Sequence, residues 1–312
     1  MQQATKSVPA ARSFDFRVFS AYAAIYILWG STFLAICYAV ESIPPFMQSG
    51  VRALIAGGIL MAWAWARGER RFRLADWRSA AVGGFFFFVV CHGLLSWGEL
   101  RVPSGVASVV LALIPIWVVL LDWLRPGGVR PAGATLFGVG LGFVGLVMLV
   151  GPGAFAGVGG LDVVATIALA LSALGWAVGT IYSRYRPLPY SAVATSALQM
   201  LAGGALLMLI SAASGEWSAL TPAILDTRAW LAVLYLAVVG SVITFSAYSW
   251  LIQASSPSRV STYAYVNPVV AVFLGWLLAG EQLTLPTMAA AGVIVAAVVV
   301  IITSQGQAAK AR

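Results

Sequence analysis

Charge is what this chain has least of. Only 9% of its 312 residues are charged, 61% are hydrophobic, and the mean hydropathy is +0.94. A soluble protein carries roughly 25% charged residues, and so few could not cover a core built from this chain. A water-soluble globule is excluded, and the fold class is an all-α integral membrane protein. Histidine is nearly absent: His92 stands alone. No second histidine, metal-ligand cluster or zincin motif accompanies it, so a membrane enzyme lacks its parts, and neither metal nor cofactor is expected. Cysteine stops at Cys37 and Cys91, both inside apolar segments. They have no metal-ligand spacing and no aqueous oxidising loop to pair in, and read as buried small hydrophobes. The charge rings and filter motifs of a channel are missing too. The net charge of +8 is spread over several short loops, which disfavours nucleic acid as a partner and makes the charge a topology signal.

What the chain does have is long apolar runs. A membrane span needs about 20 such residues. Runs of this kind lie at 18–38, 45–66, 78–98, 103–124, 132–150, 161–183, 190–213, 229–252, 259–279 and 285–304. The third and fourth are divided only by the short break from Gly98 to Pro103. The first continues past signal-peptide length without a clear cleavage site and reads as a retained span. A linker at 151–160 and polar tails at 1–17 and 305–312 complete the chain, and the composition of the tails predicts disorder.

The basic residues orient these spans. With a cytoplasmic N-terminus, 15 of the 18 fall on the cytoplasmic side, from Lys6, Arg12 and Arg17 through Arg67–Arg78, Arg125, Arg130, Arg184, Arg186 and Arg259 to Lys310 and Arg312. Arg101 and Arg228 fall outside, and Arg52 lies within a span. A miscount by one helix would scramble that asymmetry. Ten transmembrane helices with both ends cytoplasmic, in the cell's inner membrane, are therefore expected.

The chain also matches itself. At an offset of 153, Ser96-Trp97 falls on Ser249-Trp250, Ser108 on Ser261, Pro115 on Pro268, Val119 on Val272, Leu121 on Leu274, Trp123-Leu124 on Trp276-Leu277 and Gly127 on Gly280, nine identities in 32 positions without a gap. AGG at 56–58 and again at 202–204 sets the second and seventh spans in register. The repeat is five helices long, and five is odd, so the second copy enters the membrane from the opposite side. Two inverted five-helix repeats, 18–150 and 161–304, are a recurring transporter design, because half-sites of opposite orientation can exchange inward-open and outward-open states.

At this point the chain resembles a known family. WGSTF (Trp29 to Phe33), Arg52 in VRALIAGGILM and the pattern around Pro115 and Trp123 look like a first EamA unit. QMLAGGALLM (Gln199 to Met208) and AYVNPVVAVFLGWLLAGEQLT (Ala264 to Thr284) look like a second. Two such units build the drug/metabolite transporter superfamily, and within it the chain is similar to the YddG-like exporters of aromatic and other neutral amino acids. One departure is visible: Gly280-Glu281 of the second copy is Gly127-Gly128 in the first. The resemblance implies export of amino acids through a central cavity beside the third helix. A carrier of drugs or of other metabolites, nucleoside-like or sugar-like, is the alternative within the superfamily.

Polar and aromatic groups near mid-membrane are the candidate site. Most of the 12 tryptophans lie near span ends as an interfacial belt. Trp29, Trp117 and Trp176 lie roughly 15–22 Å along their spans at 1.5 Å per residue, where they either line a cavity or pack helices. Pro115 and Pro268 sit near the centres of spans four and nine and free the carbonyls of Leu111 and Ala264, as kinks or as acceptors for a substrate ammonium. Tyr263 and Asn267 share a face just before Pro268. Arg52 is near enough to the outer surface to snorkel, and the alternatives are a substrate carboxylate or a pair with Glu99. His92, Ser96 and Glu99 share one face of the third helix, with His92 about 21 Å along from Arg78. They form either a polar stripe on the pathway or a neutral histidine bonded to a neighbouring helix. Asp122, one turn before Arg125, reads as its interfacial partner. GVGLGFVG at 138–145 contains GxGxxG inside an apolar span with no strand before it, and means close helix packing.

Neutral or zwitterionic cargo suits a site with so little net charge, and aromatic faces stack on aromatic solutes or hold their ammonium. The expected protein is a carrier of small metabolites working by alternating access, in contact with the bilayer, and a monomer, with a dimer as the alternative. Either His92 or Glu99 carries protons, or the protein is a facilitator.

Overall fold

The computed structural model describes residues 15–102, 107, 110–156, 162–218, 220–279 and 285–310. The N-terminal tail to residue 14, Ser108, residues 157–160 of the linker, Gly280-Glu281 and the last two residues lie outside them. Every regular element among the described residues is helical. In chain order these are α1 (Phe16–Ile27), α2 (Thr32–Val40), α3 (Pro45–Ala66), α4 (Leu74–Gly98), α5 (Ile114–Leu124), α6 (Gly133–Ala156), α7 (Val163–Tyr185), α8 (Ala192–Ala213), α9 (Thr227–Ala254), α10 (Tyr263–Ala279) and α11 (Leu285–Lys310). In lipid a backbone must satisfy its own polar groups, which a helix does and an irregular chain does not.

By length and hydropathy, α3, α4, α7, α8 and α9 are each able to cross a membrane, and α1 with α2 forms a sixth candidate bent by 41°. Within the expected span 103–124, Ala107, Val110 and Leu111 are helical, Ala112 and Leu113 form a turn, and α5 begins at Ile114. Pro115 therefore sits at a break near the centre of the span, in a first turn where a missing N–H costs nothing. Two expectations change here. The last helix runs on to Lys310, so residues 305–310, expected as disordered tail, are helical. Likewise α6 continues to Ala156, into the stretch expected as a linker.

Helix starts follow from their sequences. Pro45 opens α3, while Ser191 and Asp162 accept hydrogen bonds from Ala194 N (3.1 Å) and Ala165 N (2.9 Å) at the starts of α8 and α7.

Small residues let the helices approach. A Cβ on Gly57 of α3 would lie 2.9 Å from Leu201, and one on Gly204 of α8 would lie 3.1 Å from Ala53 and Leu54. Rising numbers on α3 thus meet falling numbers on α8, and the two run antiparallel in close contact. α6 and α11 do the same, with Gly138 against Ile301 and Gly145 against Ile294. Gly142, inside the GxGxxG run, lies under the ring of Tyr265, whose hydroxyl donates to Val139 O at 3.0 Å. That motif is a packing surface, as its setting in an apolar run implied. Without water to exclude, such contacts hold membrane helices together by dispersion and backbone proximity.

Candidate functional site

Three stretches around the protein's interior are wound more loosely than an α-helix, as π-helix: Ala24–Leu28 in α1, Phe85–Gly93 in α4 and Leu236–Ile243 in α9. Looser winding displaces carbonyls from their usual partners, and inside a membrane each must find another. Side chains supply them. Trp29 Nε1 donates to Gly240 O at 2.8 Å, Thr244 Oγ1 to Val239 O at 2.6 Å, and Ser172 Oγ to Cys91 O at 3.0 Å. Asn267, with its amide nitrogen turned towards α1, reaches the carbonyls of Ile25, Tyr26 and Tyr263, each at 3.1 Å.

The WGST run explains the bend between α1 and α2. Ser31 donates to Leu28 O at 2.7 Å and Thr32 to Trp29 O at 2.7 Å, replacing backbone bonds lost at the break. A Cβ on Gly30 would meet Asn267 O at 2.9 Å, so α10 closes on α1 only because this residue is glycine.

Between these elements lies a cavity of about 550 Å³, space open to solvent included. Six of the expected site residues line it: Trp29, Arg52, His92, Trp176, Tyr263 and Asn267. Its wall is a cluster of rings. Trp29 meets Trp176 edge-on at 5.3 Å between centroids and Tyr263 at 4.7 Å, Trp176 meets Tyr248 at 5.1 Å and Phe87 at 4.9 Å, and His92 sits 5.7 Å from Trp176 and 5.2 Å from Phe88. Such edge-to-face contacts fix ring positions and leave faces for a planar solute. Tyr248 is bonded to Thr180, whose hydroxyl donates to Trp176 O at 2.8 Å.

Two nitrogens in this wall lack partners, Trp176 Nε1 and His92 Nδ1, both buried. The indole nitrogen neighbours the Tyr248 and Tyr263 hydroxyls without meeting hydrogen-bond geometry to either. Arg52 is 3% exposed, so it does not snorkel. Its Nε donates to Ser241 Oγ at 2.9 Å, and it enters none of the ion pairs among the described residues, Glu99 included. No carboxylate lines the cavity among the described residues.

The remaining candidates fall elsewhere. Ser96 is buried against α3, accepting from Gln48 Nε2 and bonding Ser49, both at 2.9 Å. Glu99 faces α2, where Cys37 Sγ lies 3.9 Å from Oε2, and its Oε1 is buried without a partner. Trp117 is packed into the helical core outside the cavity lining, its Nε1 unpartnered. Pro268 lies inside α10 as expected and frees the carbonyl of Ala264, itself a lining residue. Asp122 pairs with Arg125 at 2.9 Å, and that contact pushes the Arg125 pKa up. Residues missed in the sequence include Thr32, Cys91, Leu95 and the ring-cluster members Phe87, Phe88, Phe245 and Tyr248. The run of four phenylalanines at 85–88 was the available signal, but it reads equally well as lipid-facing surface.

A polytopic helical protein with a ring-lined internal cavity defines a class, the multi-pass membrane transporters. The chain belongs to the EamA-like transporter family, whose pattern it matches at residues 18–151 and again at 164–303. Among similar proteins, YedA of Escherichia coli strain K12, an uncharacterized inner membrane transporter, is 39% identical over 285 residues, covering 91% of this chain and 90% of its own. YvbV of Bacillus subtilis strain 168, an uncharacterized transporter, is 26% identical over 290 residues, 92% of each chain. One crystal structure superposes with a TM-score of 0.74 at 23% identity, covering 91% of this chain and 95% of that one, and bears on the fold alone.

Proposed function

We propose that this transporter carries small neutral or zwitterionic metabolites, foremost aromatic and other neutral amino acids, outward across the inner membrane by alternating access. Ten helices in two inverted five-helix repeats, with both ends cytoplasmic, form the frame. Close antiparallel pairing of α3 with α8, the AGG-bearing helices, supports that frame. So do the loosely wound stretches in α4 and α9, which fall in corresponding spans of the two copies.

The observation that carries the cargo assignment is the cavity wall: aromatic faces beside a buried Arg52 that enters no ion pair. An arginine held in a low-dielectric wall favours a carboxylate, since an uncompensated buried charge is costly. Ring faces and the Ala264 carbonyl receive the ammonium and an aromatic side chain. His92, whose Nδ1 is buried without a partner, lines the same space.

The test is uptake of radiolabelled amino acids into liposomes holding the purified protein, with and without a pH gradient, with His92→Ala alongside. Saturable uptake that persists without the gradient and falls about tenfold in the variant is expected for a facilitator with His92 on the pathway. Gradient-driven uptake makes His92 and Glu99 the proton carriers to examine. Entry of nucleosides or sugars but of no amino acid overturns the cargo assignment.

A further inference from the structure

A second pocket lies along α7 from the central cavity, towards Arg186, and nothing in the carrier reading yet uses it. Its volume, including space open to solvent, is about 700 Å³, against about 550 Å³ for the central cavity. Its lining is richer in polar groups: eight of its 14 lining residues carry a hydroxyl or an amide, against three of 14 in the central cavity, and Gln199, Ser183 and Ser249 among them are buried. Arg186 is its one charged residue among those described, and Trp250 offers a ring.

The two spaces are arranged in series. Trp176, Thr180 and Ser183 follow at four and then three residues along α7, which places them on one face of the helix. The first lines the central cavity and the last lines the polar pocket, about 10 Å further on at 1.5 Å per residue. Thr180 between them bonds the Tyr248 hydroxyl. On α9 the next residue, Ser249, and Ile252, one turn on, line the polar pocket, while the Tyr248 ring packs on Trp29 and Trp176 of the central cavity. The hydrogen-bonded pair Tyr248 and Thr180, which lines neither space, lies along α9 and α7 between residues that do.

We infer that the polar pocket is a second binding site for the carried solute, with Arg186 taking the carboxylate, the amides and hydroxyls the ammonium, and Trp250 the side chain. This inference rests on the carrier reading and adds to it a site on the arginine-rich side of the protein. A solute held there waits behind Tyr248 before it reaches the aromatic cavity.

The test counts bound phenylalanine on the full chain in lipid nanodiscs. Thr195→Cys puts a thiol in the lining, and a bulky maleimide is attached after folding, with the native cysteines of the unsubstituted chain as the labelling background. Gln253→Cys, at a more exposed lining position, serves as the second variant. The unsubstituted chain is expected to bind two phenylalanines. The derivatised variants are expected to bind one and to transport at least tenfold more slowly. Two bound before and after derivatisation overturn the second site, as does a single bound phenylalanine with transport unaffected, and either result leaves the central cavity's assignment standing. No binding at all overturns both.

Discussion

In the first half of the chain Ser96 meets Ser49 at 2.9 Å, and in the second half its repeat partner Ser249 meets Ser196 at the same distance. Trp29 and Trp176, 147 residues apart, touch each other at 5.3 Å. Tyr38 and Tyr185, at the same spacing, each carry an arginine over the ring at 3.7 Å. Against this likeness the polar groups stand out. At the repeat offsets, Arg52 corresponds to Leu198, His92 to Phe245 and Glu99 to Ile252, three buried apolar residues. The frame is matched between the halves and the charge is not. Of the three polar residues, Arg52 and His92 line the cavity and Glu99 does not, so the two halves contribute different polar groups to its wall.

The largest effect is expected from making the first half more like the second. Arg52→Leu removes the cation that a carboxylate would meet, a contact worth roughly 2–5 kcal/mol in a dry site. Equilibrium binding of phenylalanine should weaken about a hundredfold or more, while phenethylamine, which lacks the carboxylate, should be unaffected. Equal losses for both would show that Arg52 acts only through packing. Next comes the frame. A Cβ at Gly84 would sit 2.3 Å from Gln199 O, and one at Gly203 would sit 2.6 Å from Gly84 O. Gly84→Ala and Gly203→Ala should each lower stability by roughly 1–3 kcal/mol, read by thermal melting in detergent. Gly58, with nothing within 4 Å of its Cβ position, should tolerate alanine and gain roughly 0.4–1 kcal/mol. The smallest effect separates the two serine pairs. Ser96→Ala strands the Gln48 amide, leaves Ser49 only its longer bond to His92 O at 3.4 Å, and should cost roughly 1–3 kcal/mol. Ser249→Ala, which leaves only Ser196, should cost about 1 kcal/mol. Equal costs would mean that the Gln48 bond adds nothing.

Helix existence was legible because apolar runs near 20 residues have few other outcomes. The cavity was legible where a residue type is costly in lipid: Arg52, His92, Asn267 and two of the three mid-span tryptophans, Trp29 and Trp176, line it. The stripe from His92 to Glu99 divides in the folded chain: His92 and Leu95 line the cavity, while Ser96 bonds to α3 and Glu99 faces α2, a division set by neighbouring helices that spacing along one helix does not reveal. Trp117 follows a break at Ala112–Leu113 that span counting does not show, and it packs into the core outside the cavity lining. Tyr248 and Phe245 gave no local signal. Their role comes from rings on α1, α4 and α7 that only the folded chain brings near.

The central claim is that the two halves enter the membrane in opposite orientations around one shared cavity. Glu41 and Pro189 are exposed residues in corresponding loops, after α2 and after α7. Glu41→Cys and Pro189→Cys, expressed separately and treated on intact cells with a membrane-impermeant thiol reagent, test it most directly. Glu41→Cys is expected to label from outside and Pro189→Cys only after the membrane is opened. Labelling of both from the same side would contradict the inverted arrangement and the alternating-access reading built on it.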